Sequence, residues 1–179
     1  MITSATVNGK EYVIHRLLGH GKGGYSYLVS RNDCEFVLKQ IHHDPCDYYT
    51  FGDKLQAELA DYKRLCDACI RIPELIEADI SKDRLVKEYI AGETVFDLVR
   101  DGENVDEYIR QVRCMAQLAK IRGLNIDYFP KNFVVSDGVI YYVDYECNAY
   151  MEQWDFENWG IKYWSRTEEF NTYLKTLTD

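Results

Sequence analysis

The chain has 179 residues, of which 46% are hydrophobic, and a formal net charge of −9. This length can form one full domain or two small lobes. Acidic residues outnumber basic ones and the basic residues form no run, which argues against nucleic acid or an anionic membrane as the main partner.

The sequence carries no signal for secretion or membrane insertion. It does not start with basic residues followed by an apolar stretch, and no apolar run approaches the length of a membrane span. We therefore expect a cytoplasmic protein. In so acidic a chain, a phosphate site must be built locally, from backbone N–H groups, a lysine or a metal ion.

Three strand-like runs open the chain, at residues 12–18, 25–29 and 36–41. They are rich in β-branched and aromatic residues, which favour strands. Asn32-Asp33, between the last two runs, is typical of a hairpin turn. The N-terminal segment is therefore predicted to form an antiparallel sheet.

A glycine-rich segment separates the first two of these strands. Gly19, Gly21 and Gly24 form a Gly-x-Gly-x-x-Gly pattern, to which Gly23 adds a further glycine. Glycine lets a backbone turn tightly and approach phosphate closely. Because a strand pattern and not a helix follows Gly24, a flap over nucleotide phosphates is favoured over a dinucleotide-binding turn. A flexible hairpin tip is the alternative.

Lys39 lies in the third run, where period-2 alternation puts it on one face with Val37 and Ile41. A lysine there either faces solvent or points inward, where it needs an anion. The helix that starts near Asp53 carries Glu58 on its apolar stripe, where a carboxylate is costly unless paired. An ion pair between Lys39 and Glu58 explains both residues. Two unrelated, exposed side chains are the alternative.

The six cysteines are scattered through core-like segments, which predicts reduced, packed thiols and not disulfides. Cys66 and Cys69 form a Cys-x-x-Cys inside a helical pattern, without a second such pair. His42, His43 and Cys46 offer further soft ligands. A structural zinc ion is the alternative to packed thiols and solvated histidines.

Two more strands are predicted at residues 72–76 and 84–90, and Ala91-Gly92 ends the second. Capping residues and apolar spacing predict helices at residues 93–99, 105–122 and 167–177. The aromatic residues of the C-terminal segment are predicted to be core and lobe-closing residues: Tyr145, Tyr150, Trp154, Phe156, Trp159, Tyr163 and Trp164. In the last predicted helix, Phe170, Leu174 and Leu177 lie at core spacing.

Three polar side chains flank a predicted hairpin in the second half of the chain. Asp127 stands five residues before Asn132, and a Ser136-Asp137-Gly138 turn leads to a strand that ends at Asp144. Carboxylate and amide oxygens suit Mg²⁺, which keeps several waters and takes one or two carboxylates plus phosphates. A hairpin turn rich in Asp and Asn is the alternative.

The order and spacing of these motifs resemble the protein-kinase superfamily. The Val143-Asp144-Tyr145-Glu146 segment is similar to the Asp-Trp-Glu variant of the aminoglycoside-phosphotransferase group. The resemblance implies an α+β, two-lobed protein-kinase-like fold. Residues 1–90 would form an N-lobe with a five-stranded antiparallel sheet and one helix, and residues 91–179 a short, mainly helical C-lobe.

The resemblance also implies an ATP site. Gly19, Gly21, Gly23 and Gly24 would cover the phosphates, while Lys39 would bind the α- and β-phosphates. Glu58 would hold Lys39 in place, and both residues would be catalytic. Adenine would bond to backbone groups in a hinge formed by Glu88, Tyr89 and Ile90.

The implied reaction is transfer of the γ-phosphate of ATP to a hydroxyl group. Asp127 would orient the acceptor hydroxyl and take its proton, while Asn132 and Asp144 would bind Mg²⁺. The thirty-five residues that follow Asp144 are too few for a peptide-docking subdomain, so we expect the acceptor to be a small molecule or a dedicated protein.

Some residues depart from the kinase pattern. Asn125 stands where kinases have a histidine, and Phe129 stands where a cationic residue is common. Glu146 replaces a glycine. The alternative function is therefore a catalytically inactive pseudokinase, which would act as a nucleotide-binding or scaffold module.

Overall fold

A computed structural model of the chain describes residues 4–21, 23–42 and 53–177. Within these residues the strands are β1 (Ser4–Val7), β2 (Lys10–Gly21), β3 (Gly24–Arg31), β4 (Cys34–Ile41), β5 (Leu75–Asp79), β6 (Arg84–Glu88), β7 (Glu93–Thr94), β8 (Leu124–Ile126), β9 (Phe133–Ser136), β10 (Val139–Tyr142) and β11 (Cys147–Ala149). The α-helices of the same residues are α1 (Lys54–Asp67), α2 (Val95–Asp101), α3 (Asp106–Ile121) and α4 (Glu168–Lys175).

The fold is α+β, and the chain divides into two compact units. The first unit comprises Met1–Ala60 and Pro73–Tyr89, and the second comprises Asp61–Ile72 and Ile90–Asp179. Most strand residues belong to the first unit, while α2, α3 and α4 belong to the second.

The first unit is built on a six-stranded antiparallel sheet with the order β1-β2-β3-β4-β6-β5. The sequence predicted five strands, and that number is wrong because β1 was missed. This strand has only four residues and pairs with the start of β2 through the turn at Asn8-Gly9. Val7 and Tyr12 from these two strands are buried in the core of the unit.

The hairpin between β3 and β4 is confirmed. Arg31 pairs with Cys34, and the two residues between them, Asn32 and Asp33, both have positive φ angles of 51° and 61°. Two consecutive positive φ angles suit the right-handed twist of a tight hairpin, and Asn and Asp tolerate them better than most residues do.

Two acidic residues of β5, which is one edge strand of this sheet, bind the β1–β2 hairpin at its other edge. Glu77 accepts hydrogen bonds from the Tyr12 hydroxyl and, at 3.5 Å, from Asn8 Nδ2, and it lies 3.1 Å from Lys10 Nζ. Asp79 accepts from the backbone N–H of Asn8 at 2.9 Å. These contacts join segments more than sixty residues apart and were not predicted from the sequence.

The helix α1 begins as predicted, because Asp53 Oδ1 accepts a hydrogen bond from the backbone N–H of Gln56 at 3.0 Å. Leu55 and Leu65 are fully buried. The helix ends at Asp67, and Cys69 adopts a left-handed conformation with its side chain exposed.

The prediction of packed thiols is wrong for most cysteines. Among the described residues Cys147 is buried, whereas the other free thiols are exposed, namely those of Cys34, Cys66, Cys69 and Cys114. Burial raises the pKa of the Cys147 thiol to about 12, with a further contribution from the charge of Asp61. His43 and Cys46, considered above as zinc ligands, lie outside the described residues.

The second unit packs its helices around an aromatic core that includes Phe133, Phe156, Trp164 and Phe170. Trp164 is completely buried, and its Nε1 donates to the carbonyl oxygen of Tyr128 at 2.8 Å. The longest helix, α3, has 16 residues, and no helix within the described ranges is long and apolar enough to span a membrane.

Two of the predicted core residues in this unit are exposed. Trp154 and Leu177 each expose half of their surface, so these two predictions are wrong. Leu177 follows the end of α4, where the helical spacing used to predict its burial no longer applies. Tyr145, Phe156 and Trp164 are buried, as predicted.

The hairpin of β9 and β10 is confirmed with its predicted turn. Asp137 and Gly138 have φ angles of 50° and 76°, and Ser136 pairs with Val139. The short strand β7 joins the other edge of β9, and Gly92 lies just before it. A Cβ atom at Gly92 would lie 1.8 Å from the carbonyl oxygen of Val135, so the approach of these two backbones requires glycine.

Candidate functional site

The ion pair predicted in the first unit is confirmed. Lys39 on β4 points inward, and its Nζ lies 2.6 Å from Glu58 Oε2 on α1. The two side chains expose only 13% and 9% of their surface. The second oxygen of Glu58, Oε1, is buried and has no hydrogen-bond partner among the described residues. A buried oxygen without a partner is costly, so a carboxylate at this place needs an explanation beyond stability.

The glycine segment lies directly beside this pair. Gly19 and Gly21 belong to β2 and Gly24 opens β3, so the segment is the closed end of a hairpin and not an open loop. A Cβ atom at Gly23 would lie 3.2 Å from Lys39 Nζ, and one at Gly24 would lie 2.1 Å from the carbonyl oxygen of Gln40. Glycine therefore lets the hairpin end close against β4 and brings its backbone next to the lysine ammonium.

In the second unit, Asp127 follows β8 and is held at both its backbone and its carboxylate. Its Oδ1 accepts a hydrogen bond from the backbone N–H of Phe129 at 3.0 Å. Asn132 Nδ2 donates to the carbonyl oxygen of Asp127 at 3.4 Å. A 3₁₀ turn over Pro130–Asn132 sets the backbone conformation of the segment that joins Asp127 to Asn132.

Asp144 is tied to the same loop through the residue that precedes it. The backbone N–H of Val143 donates to the carbonyl oxygen of Asn132 at 2.9 Å. The Asp144 Oδ1 atom accepts from the backbone N–H of Tyr145 at 2.9 Å, which orients its carboxylate. Asp127, Asn132 and Asp144 are thus parts of one hydrogen-bonded structure, named here the Asp127–Asn132–Asp144 site.

Tyr142 is also part of this site and was not identified from the sequence. Its side chain is fully buried, its hydroxyl donates to the carbonyl oxygen of Glu146 at 2.8 Å, and it accepts from the backbone N–H of Asp127. Burial raises the pKa of the Tyr142 hydroxyl well above its ordinary value, and the negative charges of Asp144 and Asp127 raise it further. Both carboxylates therefore lie near one buried hydroxyl, which stays protonated and can keep donating.

The residues proposed as metal ligands have a suitable donor set. Because Asn132 uses its amide nitrogen toward Asp127, its amide oxygen is the atom that can ligate a metal, together with the carboxylate of Asp144. One carboxylate and one amide suit Mg²⁺, which retains waters and takes further oxygens from phosphates. Across the described parts of the chain, no group of three or more His, Cys, Asp or Glu side chains could hold a metal by itself.

In the predicted hinge, the backbone N–H of Glu88 is already hydrogen-bonded within the first unit. The backbone N–H of Glu88, at the end of β6, donates to the carbonyl oxygen of Glu74 at 2.9 Å, and Glu88 Oε2 accepts from Glu74 N–H at 3.1 Å. Backbone recognition of an adenine by this N–H would have to replace an existing bond. Tyr89 and Ile90 follow the end of the strand.

Two of the residues that depart from the kinase pattern, Asn125 and Phe129, have structural roles here. Asn125 lies on β8, and its Nδ2 donates to the carbonyl oxygen of Met151 at 2.8 Å. The ring of Phe129 packs between those of Tyr163 and Tyr173, at centroid distances of 5.2 and 4.8 Å. Phe129 is therefore part of the aromatic core of the second unit.

Comparison with known proteins adds no family, because no protein-family model and no curated protein matches this chain. The function is therefore inferred from the residues and their geometry.

Proposed function

We propose that the chain is an ATP-dependent phosphotransferase with a two-lobed protein-kinase-like fold. It would move the γ-phosphate of ATP to a hydroxyl group of a small molecule or of a dedicated protein. The observation that carries this proposal is the Asp127–Asn132–Asp144 site, in which two carboxylates and an amide belong to one hydrogen-bonded structure that also includes the buried hydroxyl of Tyr142.

The first unit would bind the nucleotide phosphates. The ammonium of Lys39, oriented by Glu58, is a cation beside the glycine backbone of the β2–β3 hairpin end. A lysine with three donors and backbone N–H groups together can replace the water that phosphate loses on binding. Glu88, Tyr89 and Ile90 would contribute backbone groups to adenine.

The second unit would act on the acceptor. The hydrogen bond from Phe129 N–H fixes Asp127 Oδ1 and so orients the carboxylate to accept the proton of an acceptor hydroxyl. Asn132 and Asp144 would hold Mg²⁺, which when bound neutralises negative charge on the phosphate oxygens. Positioning and charge neutralisation would supply most of the catalysis, as is general for phosphoryl transfer.

The test combines nucleotide binding with turnover. ATP and Mg²⁺ at about one hundred times the Kd should stabilise the fold by about 2.7 kcal/mol, measured as a rise in melting temperature. Asp127→Asn should keep this stabilisation and lose conversion of ATP to ADP. The matched control is Asp137→Asn, the same chemical change in the exposed β9–β10 turn, where asparagine tolerates the positive φ angle.

Each outcome has a distinct meaning. No melting shift with millimolar ATP and Mg²⁺ would overturn nucleotide binding. A shift without any turnover in the unsubstituted chain would favour the alternative, a nucleotide-binding pseudokinase. Turnover that survives in Asp127→Asn would contradict the role given to that carboxylate.

A further inference from the structure

Lys131 is a half-buried lysine on the 3₁₀ turn between Asp127 and Asn132. Its ammonium donates to the Tyr173 hydroxyl at 3.2 Å and lies 4.6 Å from the centre of the Phe96 ring and 5.1 Å from that of Tyr173. These partners are neutral. None of the ion pairs found among the described residues includes Lys131.

The placement is unusual for a chain with nine more negative than positive charges. A lysine on such a chain can generally find a carboxylate, and a partly desolvated ammonium gains more from an anion than from ring faces alone. The rings hold the charge in place without neutralising it. The turn that carries Lys131 also carries Asn132, so this cation, which has no ion-pair partner among the described residues, lies on the loop of the Asp127–Asn132–Asp144 site.

Lys120 provides an internal contrast. It also places its ammonium over a tyrosine ring, 4.9 Å from the centre of Tyr150. There, however, the pKa of the lysine is raised above its ordinary value by the Tyr150 hydroxyl and by the nearby charges of Asp155 and Glu152. The ring contact at Lys120 is accompanied by carboxylates, whereas the contacts described for Lys131 are aromatic rings and a hydroxyl.

The donor groups at Lys131 match an oxyanion. An ammonium has three N–H donors, and one of those of Lys131 is directed to Tyr173 Oη. Because the Tyr173 oxygen accepts this bond, its own proton can be donated elsewhere. Further N–H donors of Lys131 and the O–H of Tyr173 could then serve neighbouring oxygens of one phosphate or carboxylate group.

We propose that Lys131 and Tyr173 form an oxyanion-binding site that receives an anionic group during the reaction. The inference rests on the proposed phosphotransferase function and deepens it. The anion is either the γ-phosphate of ATP or an anionic group of the acceptor, and the same chemistry recognises both. On the acceptor side, the site would select a phosphorylated or carboxylated hydroxy compound over a neutral one.

The test uses Lys131→Met in the full chain, because methionine keeps an unbranched apolar stem against the rings and removes the charge. Lys120→Met is the control, since it makes the same change in net charge at another ring contact. Affinities for ATP, for ADP and for inorganic phosphate, the last with and without ADP, are measured by calorimetry or NMR titration. Melting temperatures establish that each variant is folded.

Loss of one charged contact should weaken binding by about tenfold or more. If Lys131→Met weakens ATP but not ADP, the site receives the γ-phosphate. If it weakens inorganic phosphate and leaves ATP unchanged, the site serves the acceptor. Tyr173→Phe should give a smaller loss of the same kind, and Lys120→Met should change neither affinity.

Equal affinities of Lys131→Met and the unsubstituted chain for ATP and for inorganic phosphate would overturn the proposal, and Lys131 would then be a structural contact of the rings. Failure of the proposed function has a different signature, namely no binding of ATP or ADP by the unsubstituted chain. In that case phosphate binding that depends on Lys131 would still support the oxyanion site, and its absence would overturn it.

Discussion

Glu77 and Glu58 are two carboxylates of the first unit with nearly the same small exposure, 8% and 9% of the side chain, but their surroundings differ. Glu77 is shared between Tyr12, Lys10 and Asn8, so both of its oxygens have partners. Glu58 meets Lys39 with one oxygen and leaves the other buried without a partner among the described residues.

The difference indicates that Glu77 stabilises the fold, whereas stability alone does not explain the buried position of Glu58. Burial raises the pKa of Glu77, but the hydrogen bonds from Tyr12, Lys10 and Asn8 together outweigh it, and the net pKa is below its ordinary value. The folded state therefore favours the ionised form of Glu77. A half-satisfied buried carboxylate such as Glu58 is a local violation of good packing, which proteins retain mainly at functional sites.

The largest effect is expected for Glu77→Ala. The substitution deprives the buried hydroxyl of Tyr12 of its acceptor and removes one of the links between β5 and the β1–β2 hairpin, while the bond from Asn8 to Asp79 remains. We expect the free energy of unfolding to fall by about 2 kcal/mol, measured by urea denaturation. Glu11→Ala, an exposed glutamate on β2, is the control and should change stability by less than about 0.5 kcal/mol. Similar losses of unfolding free energy in both variants would contradict the stabilising role given to Glu77.

A smaller effect is expected for the pair of Lys39 and Glu58. Lys39→Met leaves the carboxylate of Glu58, and Glu58→Gln leaves the ammonium of Lys39, without the opposite charge of the other residue in a largely buried position, whereas the double variant removes both charges. Their effects on unfolding free energy should therefore couple by about 1 kcal/mol or more in a double-mutant cycle. Both single variants should also weaken ATP binding. Strict additivity of the two changes in unfolding free energy would show that Lys39 and Glu58 do not stabilise each other.

The smallest effect is a pH dependence that belongs to Glu77. Because its folded pKa is lowered from an ordinary value of 4.5, its stabilisation is complete above that value and is lost as pH falls through the folded pKa. The stability advantage of the unsubstituted chain over Glu77→Gln should thus be constant near neutrality and shrink in acid. Urea titrations between about pH 3 and pH 7 measure it. An advantage that grows toward low pH would contradict the lowered pKa.

Local patterns predicted a large part of this structure. The β9–β10 hairpin follows from Asp137-Gly138, two residues that tolerate the turn their neighbours require. The Lys39–Glu58 pair was predictable because each residue breaks an apolar pattern where only an opposite charge relieves the cost. The hairpin depends on a few neighbouring residues, and the ion pair is indicated by two residues that each break an apolar pattern.

The features that were missed depend on contacts between distant segments. Tyr12 and Glu77 are 65 residues apart, and Lys131 and Tyr173 are 42 apart. Neither pair disturbs a local pattern: a tyrosine in a strand and a lysine in a turn are both ordinary. The role of Tyr142 was missed for a different reason, since its hydroxyl bonds to the nearby Glu146, and strand alternation predicts its burial but not where its hydroxyl points.

The close approach of Gly92 to Val135 limits how this sequence can change over generations. Every base change in a glycine codon that alters the amino acid introduces a Cβ atom, and here that atom would collide with a backbone oxygen and not with a side chain that could be replaced. No second substitution at position 135 can relieve such a collision, because every residue keeps the same carbonyl group. Position 92 is therefore expected to remain glycine while other residues in this part of the chain vary.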